Sequence, residues 1–155
     1  MPAAKLKEFL DSHQIKYVTI GHSRAITAQE VAESAHIPGK ELAKTVMVKL
    51  DGKLAMAVLP ASRKVDLERL REAADAKTAA LAGEAEFKEM FPNCECGAMP
   101  PFGNLYGMDV FVATDLAEDQ MIAFNAGSHS ELIKLAYTDF DRLVRPKVCA
   151  FAAKG

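Results

Sequence analysis

The chain has 155 residues, is 50% hydrophobic and carries a formal net charge of −2 at pH 7. These values predict one domain over residues 1–155 with a well-filled core, and they exclude a broadly basic nucleic-acid coat. The sequence has neither an apolar run of about 18 residues nor a charged-then-apolar leader, so we expect a cytoplasmic protein without a membrane partner. Three cysteines, Cys94, Cys96 and Cys149, suit a reducing compartment.

Hydrophobic periodicity and turn signals predict the elements of the first half. In chain order they begin with a helix near residues 3–13, a strand Tyr17–Ile20, and a helix that begins at the capping box Thr27–Glu30 and ends at Pro38-Gly39. A hairpin follows, with strands Lys44–Leu50 and Leu54–Leu59 around the tight turn Asp51-Gly52. The last two are a helix capped by Asp66 that reaches Ala74 and a helix Glu84–Phe91.

The second half is predicted to be rich in strands. Its elements are strands Asp109–Thr114 and Met121–Asn125 on either side of the acidic turn Asp115–Asp119, a strand Glu131–Tyr137, a short helix that begins at Thr138 and ends before Pro146, and a last strand Val148–Ala152. Because helices and strands mix without strict βαβ alternation, we predict an α+β fold with a largely antiparallel or mixed sheet.

Lys44 has an unusual position for a surface lysine, because it opens an apolar strand. Side chains alternate along a strand, so Lys44 shares a face with three apolar residues, Val46, Val48 and Leu50. We predict that this face is the core side, whereas Lys49 points to water with Thr45 and Met47. Two interpretations follow from the pattern. The Lys44 ammonium either reaches solvent past the rim of the core or serves a site at the end of the strand.

Two loops of small residues are further candidates for binding. The segment Gly97–Gly103 holds two glycines and two prolines, so we predict a stiff loop that exposes main-chain N–H groups to a small polar ligand. The segment Asn125–Ser130 lies between predicted strands, and its hydroxyl and imidazole groups suit a phosphate, an ammonium or a ribose hydroxyl. Each segment taken alone also fits an ordinary connector between strands.

Several familiar chemistries lack support in the sequence. Cys94-Glu95-Cys96 has no further ligands at a matching spacing, and neither cysteine has a partnered base, so we expect no metal, no cofactor and no covalent catalysis. No P-loop, Gly-x-Ser-x-Gly or Gly-x-Gly-x-x-Gly motif is present. Two groups of basic residues could contact nucleic acid locally, although both also fit a solvated surface: Lys40, Lys44, Lys49 and Lys53, and Arg63, Lys64, Arg69 and Arg71.

Three motifs in order are similar to those of one known family. They are Ala43-Lys44-Thr45 before the apolar strand, a Gly-x-x-x-Pro loop from Gly97 to Pro101 that runs into Pro-Phe-Gly, and Asn125-Ala126-Gly127-Ser128-His129. With His22 and Thr27-x-x-Glu30 upstream, this order resembles the YbaK/prolyl-tRNA-synthetase-associated editing domain family over nearly the whole chain. The resemblance implies an α+β fold with a barrel-like mixed sheet surrounded by helices. It also implies a free-standing aminoacyl-tRNA deacylase that removes a wrongly attached amino acid in trans.

The resemblance implies roles for particular residues as well. Lys44 matches the essential lysine of the family and is the implied catalytic residue. The implied substrate-binding residues are His22, Thr45, Gly97, Ala98, Met99, Pro100, Pro101, Phe102, Gly127, Ser128 and His129. The implied partners are the acceptor end of a mischarged tRNA and an aminoacyl-tRNA synthetase. The Ala-Met-Pro interior of the loop hints at a small amino acid.

The chemistry of an aminoacyl ester fits these residues. A lysine suits an anionic phosphate or a developing oxyanion, and an activated ester can be hydrolysed by a positioned water without a protein nucleophile. Which of the two anions Lys44 meets stays open. The alternatives are a non-catalytic module of the same fold that binds tRNA, a nucleotide or a protein, and, more distantly, a small-molecule esterase.

Overall fold

The structure is a computed structural model that describes residues 4–21, 41–91, 94, 98–128 and 131–154. Its helices are α1 (Ala4–Ser12), α2 (Leu67–Ala73), α3 (Glu84–Phe87), α4 (Thr114–Ala117) and α5 (Tyr137–Val144), with 3₁₀ turns at Lys88–Met90 and Gly103–Leu105. Its strands are β1 (Tyr17–Gly21), β2 (Leu42–Leu50), β3 (Lys53–Pro60), β4 (Arg63–Val65), β5 (Ala79–Leu81), β6 (Asp109–Ala113), β7 (Met121–Asn125), β8 (Glu131–Ala136), β9 (Lys147–Cys149) and β10 (Ala152–Lys154). The helix predicted from Thr27–Glu30 to Pro38-Gly39 lies outside the described residues.

Strands from both halves of the chain interleave in one mixed sheet. Its order is β1-β8-β7-β2-β3-β6-β9, and β5 pairs with the far end of β2. β2 runs antiparallel to β3 and parallel to β7, while β3 runs parallel to β6. A separate two-stranded sheet joins β4 to β10. The predicted fold class, α+β with a mixed sheet and surrounding helices, is confirmed. Among the described helices, none is long and apolar enough to span a membrane.

The β2–β3 hairpin forms around the predicted turn. Asp51 and Gly52 both have positive φ, 52° and 83°. Positive φ at both central residues is what the right-handed twist of a two-residue hairpin requires. The Asp51 carboxylate also accepts hydrogen bonds from the main-chain N–H groups of Lys77 (2.8 Å) and Thr78 (3.0 Å). The hairpin tip is thereby fixed to the chain that leads into β5.

Both faces of the sheet are buried, which corrects one prediction. A large cluster covers one face of β2 and includes Met47, and a second cluster covers the other face and includes Val48. Thr45 and Met47, predicted to face water, are only 8% and 4% exposed. The predicted outward direction of that face is therefore wrong, because helices and loops from distant parts of the chain pack on it. Lys49 alone among these three reaches the surface, where its Nζ lies 2.7 Å from Glu86 Oε1.

Several predicted boundaries also differ. The acidic segment Asp115–Asp119 is not a simple turn, because α4 occupies its start and connects strands that are not neighbours in the sheet. The predicted strand Val148–Ala152 is two strands, β9 and β10. It is interrupted at Phe151, whose side chain is fully buried in the second cluster and whose carbonyl accepts from the Asp66 N–H at 2.7 Å.

Short elements account for the remaining differences. The predicted helix Glu84–Phe91 is α3 followed by a 3₁₀ turn, and α5 begins at Tyr137 without a side-chain cap rather than at Thr138. The three-residue strands β4 and β5 have no prediction in the sequence, because so short a run carries no periodicity.

Candidate substrate site where β2 and β7 diverge

A gap in the sheet opens beside the start of β2. β2 and β7 pair at Leu42 with Ala123 and at Ala43 with Phe124, and the pairing then ends. The same edge of β2 is paired again only from Val48 onward, by β5. Between these points, residues 44–47 have no strand partner on this edge among the described strands. A gap of this kind leaves main-chain groups available to a ligand.

Thr45 directs its main chain into this gap. The Met47 carbonyl points to the β5 side of β2, where it accepts a hydrogen bond from the Ala82 N–H at 3.0 Å. Alternate residues of a strand direct their N–H and C=O groups to the same edge, so those of Thr45 point the same way as those of Met47. The Thr45 side chain itself is buried, on the face of the large cluster. The contribution that Thr45 can make at the gap therefore comes from its backbone.

Lys44 is a half-buried cation at the mouth of the gap, on the face opposite the Thr45 side chain. Burial lowers the pKa of Lys44 from its ordinary value, and the positive charge of Lys64 lowers it further. Within the described residues no carboxylate pairs with Lys44. By contrast, the carboxylates of Glu131, Glu86 and Glu41 pair with three other lysines: Lys7, Lys49 and Lys134. A desolvated cation that lacks a counter-ion is typical of a site that receives an anion.

Asn125 lies beside Lys44 and was not assigned a role from the sequence. It follows Phe124, the last β7 residue paired with β2, just as Lys44 follows Ala43. Strand alternation therefore places both side chains on the same face. The Asn125 Oδ1 is buried and has no hydrogen-bond partner among the described residues. Buried acceptors are normally satisfied, so this oxygen is available to a ligand donor.

Gly127 connects the two loops that the sequence singled out. Its N–H donates to the Ala98 carbonyl at 2.9 Å, and its φ of 95° lies in the region that favours glycine. Ala126 and Gly127 are buried, and the half-buried Ser128 follows. The described part of the predicted Asn125–His129 segment therefore lies next to both Lys44 and the Ala98–Phe102 loop.

The Ala98–Phe102 loop contributes less to the site surface than predicted. All five residues are buried, and the side chains of Met99 and Phe102 belong to the large cluster, on the face opposite Lys44. Pro100 and Pro101 have no N–H, and the Phe102 N–H donates to the Pro100 carbonyl at 2.8 Å. The prediction that main-chain donors are available to a ligand is therefore wrong for residues 100–102.

The remaining predicted residues divide into two groups. His22, Cys96, Gly97 and His129 lie outside the described residues. Cys94 is half-buried, and burial raises the pKa of its thiol, which disfavours the nucleophilic thiolate. It lines a cavity of about 30 Å³ with Phe87, Phe91 and Met99, and no residue of β2 contributes to that cavity. The described residues contain no cluster of three or more potential metal ligands.

Solved structures share this fold at low sequence identity. One is a candidate trans-editing enzyme for prolyl-tRNA synthetase, with a TM-score of 0.83, 16% identity, and coverage of 99% of this chain and 98% of its own. Another is a hypothetical protein with a TM-score of 0.84, 18% identity, and coverage of 96% and 99%. A candidate signal transduction protein from Marinobacter aquaeolei has a TM-score of 0.75 and 16% identity over 96% of this chain but 30% of its own. At these identities the likeness establishes the fold.

The fold and the gap define an α+β domain with a half-buried lysine at a break in its sheet, and that lysine has no carboxylate partner in the described ranges. The aminoacyl-tRNA editing domain model matches residues 22–143, and the chain belongs to that family. The resemblance inferred from the three motifs is thereby confirmed. No curated protein matches the chain significantly.

Proposed function

We propose that this protein is an aminoacyl-tRNA deacylase that hydrolyses the ester of a mischarged tRNA in trans. The observation that carries the proposal is the placement of Lys44. Lys44 is half-buried at the point where β2 leaves β7, beside the Asn125 amide oxygen, and the structure describes no carboxylate partner for the lysine and no donor for that oxygen. Membership of the editing family supplies the class of substrate for this arrangement.

Lys44 acts by electrostatics in this proposal. In the free protein, burial and Lys64 both oppose its charge, as the lowered pKa of Lys44 shows. A bound anion reverses that balance, because it compensates the charge where water has been removed. The aminoacyl ester offers two such anions, the phosphate next to the terminal ribose and the oxyanion that forms when water attacks the carbonyl. Stabilising the oxyanion selectively would lower the barrier to hydrolysis.

Water is the proposed nucleophile. The raised pKa of Cys94 argues against a thiolate, and the Cys94 cavity has no contribution from β2. An aminoacyl ester is already activated, so correct placement of a water and of the carbonyl contributes much of the required acceleration. The Asn125 Oδ1 is placed to accept a hydrogen bond from the substrate ammonium group or from a ribose hydroxyl.

We propose that the amino acid removed from the tRNA is a small one. Ala98 and Ala126 are 0% and 1% exposed, and the Gly127–Ala98 hydrogen bond holds their segments together at 2.9 Å. This direct contact between the two loops supports a pocket that accepts a small side chain. We also propose that the whole chain acts as one domain, since strands of both halves interleave in the sheet. Its proposed partners are the tRNA acceptor end and an aminoacyl-tRNA synthetase.

A deacylation screen tests the function. Purified protein is incubated with a panel of tRNAs mischarged with small and large amino acids, and release of the labelled amino acid is followed against a blank without protein. We expect hydrolysis of at least one tRNA carrying a small amino acid. Hydrolysis of none, with tRNA or synthetase binding intact, would instead show a non-catalytic module. Equally fast turnover of simple amino-acid esters would show an esterase.

A further inference from the structure

An exposed leucine lies on the Lys44 face of the sheet, at the far side of the gap. Leu81 of β5 pairs in register with Val48, which shares a face of β2 with Lys44. Register partners point to the same face, so the Leu81 side chain lies on that face as well. Val48 is fully buried there, whereas Leu81 is 60% exposed. On this face the gap is therefore bordered by Asn125 on the β7 side and by Leu81 on the β5 side.

Val46 lies between Lys44 and Leu81 on the same face. It is half-buried and packs against the edge of the second cluster. Val46 and Leu81 are diagonal neighbours across the β2–β5 pair, about 7–8 Å apart, which is within reach of a leucine side chain. Lys44 is the preceding residue of β2 on this face, ~7 Å from Val46 along the strand. Val46 and Leu81 thus form a small apolar surface beside the cation, the Val46–Leu81 platform.

The position of Leu81 distinguishes it from the other exposed apolar residues. Among the described residues, four large hydrophobic side chains are exposed: Val18, Leu81, Met90 and Val148. Single residues of this kind are normal on a protein surface and have no meaning alone. Of these four, only Leu81 lies on a strand that borders residues 44–47, the part of β2 that lacks a strand partner on this edge. An apolar surface at that place favours a ligand with an apolar part of its own.

The substrate of the proposed reaction has such a part. The ester of an aminoacyl-tRNA is carried by the ribose of the terminal adenosine, so the adenine lies one ribose away from the reacting carbonyl. Nucleobases that have left a stack are held against aromatic or apolar side chains. The proposed contacts of the amino acid, Ala98 and Ala126, belong to the loops on the β7 side of the gap. The base then extends toward the β5 side, where the platform lies.

We propose that the Val46–Leu81 platform binds the adenine of the terminal adenosine of tRNA. The inference rests on the proposed function and deepens it, because it orients the substrate across the gap. The amino acid lies toward β7, the ester lies beside Lys44, and the base lies toward β5. The base covers a leucine that is 60% exposed in the free protein, and removal of that apolar surface from water contributes to affinity.

The test compares uncharged tRNA with the same tRNA whose terminal nucleotide lacks its base, both labelled in the anticodon loop, by fluorescence anisotropy. Stacking of a base on an aromatic ring contributes roughly 5- to 150-fold in affinity. For an aliphatic contact we expect the lower end, so the wild-type protein should bind the intact tRNA about 5-fold more tightly. Leu81→Ser should abolish most of that preference. Leu81→Phe should keep or increase it, because a ring offers a larger flat surface.

Val148→Ser is the matched control. Val148 is also an exposed apolar strand residue, but its strand, β9, forms the opposite edge of the sheet from β1 and is separated from β2 by two strands. This variant should retain the full preference for the intact tRNA. Because both side chains are exposed, neither serine variant should unfold the protein, and equal melting temperatures check this.

The other outcomes overturn the platform. They are the absence of a preference in the wild-type protein, an unchanged preference in Leu81→Ser, and equal weakening of both tRNAs by that substitution. A change of oligomeric state in Leu81→Ser, measured by sedimentation, would also overturn it and assign Leu81 to a contact between two copies of the chain.

The binding assay requires no hydrolysis, so the two proposals fail separately. If the wild-type protein shows the preference and Leu81→Ser loses it, but no mischarged tRNA is deacylated, the proposed function fails and the platform stands. If mischarged tRNA is deacylated and Leu81→Ser keeps the preference, the platform fails and the proposed function stands.

Discussion

Lys44 and Asn125 are the first residues beyond the point at which β2 and β7 stop pairing, and they share one face of the sheet. Over the described part of the chain, Lys44 is a half-buried cation without a counter-ion, and the buried Asn125 oxygen has no donor. A lone defect of either kind costs stability, because buried polar groups are normally satisfied. Their occurrence side by side supports the proposed site, in which the substrate would supply the missing partner. Measurable consequences follow for stability and for activity.

Lys44→Met should not destabilise the protein at neutral pH. The pKa of Lys44 is lowered below 10.5 in the folded state, so the unfolded chain holds that proton more tightly and wild-type stability rises as the pH approaches 10.5. Below that pH range the buried charge of Lys44 lowers the free energy of unfolding, so its removal should raise that free energy. We expect Lys44→Met to be at least as stable as wild type at pH 7, in urea unfolding, with the difference shrinking toward alkaline pH.

Lys49→Met is the matched control for that measurement. Lys49 lies on the same strand, but its Nζ is ion-paired with Glu86 Oε1 at 2.7 Å at the surface. Loss of an exposed pair typically costs ~0–1 kcal/mol. The two substitutions should therefore shift stability in opposite directions at pH 7. A clear loss of stability in Lys44→Met at that pH would show that Lys44 has a partner in the folded protein.

Asn125→Ala should reduce activity more than stability. Because the Oδ1 has no partner within the residues that the structure describes, the fold should tolerate its removal. If it binds the substrate, losing one hydrogen bond of roughly 1–1.5 kcal/mol slows deacylation about 10-fold. The comparison is Asn104→Ala, an exposed residue of the 3₁₀ turn Gly103–Leu105. Equal activity of the two variants in steady-state deacylation would remove Asn125 from the site.

Gly103→Ala should destabilise the fold. An alanine Cβ at this buried position would lie 2.7 Å from Val110 Cγ2 and 2.8 Å from the Met108 carbonyl oxygen. Overpacking of this kind typically costs ~1–3 kcal/mol. Gly21→Ala is the control, because its Cβ would meet no atom of the described residues within 4 Å. Thermal unfolding of both variants decides the matter, and equal melting temperatures would show that the Gly103 turn can open to admit a methyl group.

All three tyrosines should titrate above their ordinary pKa. Burial raises the pKa of Tyr17 and Tyr106, and burial together with Asp141 raises the pKa of Tyr137 to about 12. A folded-state pKa above the unfolded value makes stability fall as the pH rises past the ordinary 10.0. In a pH titration, phenolate absorbance should therefore appear at a higher pH than for free tyrosine. Tyr137→Phe should remove the ionisation that occurs at the highest pH. A tyrosine ionising below pH 10 in the native protein would contradict this account.

The hairpin and the strand alternation could be predicted because their causes are local. Asp51-Gly52 supplies the positive φ values that a two-residue turn needs, and the β2 pattern correctly placed Lys44 with Val46 and Val48. Burial of the opposite face could not be predicted. Thr45 is buried by residues that are distant in the chain, and the β2 sequence contains no signal of that packing.

The site could be predicted only in part, because contacts between distant parts of the chain leave no local signal in the sequence. Asn125 and Lys44 become neighbours only because β2 pairs in parallel with β7, about 80 residues later in the chain, and parallel pairing over such a distance leaves no local signal. Met99 and Phe102 were assigned to substrate binding by motif, although their apolar side chains serve the large cluster. The role of the loop in binding stays a prediction from motif position, and burial decides which of its atoms a ligand can meet.

In the proposed function, Lys44 supports hydrolysis of the aminoacyl ester. The most direct test of this role is single-turnover deacylation of a mischarged tRNA at saturating protein, by Lys44→Ala and by Lys49→Ala. Removing an electrostatic group that acts on the reacting centre typically costs about 10²–10³ in rate. We therefore predict a loss of that size for Lys44→Ala and the wild-type rate for Lys49→Ala. A folded Lys44→Ala that deacylates as fast as Lys49→Ala would contradict the account.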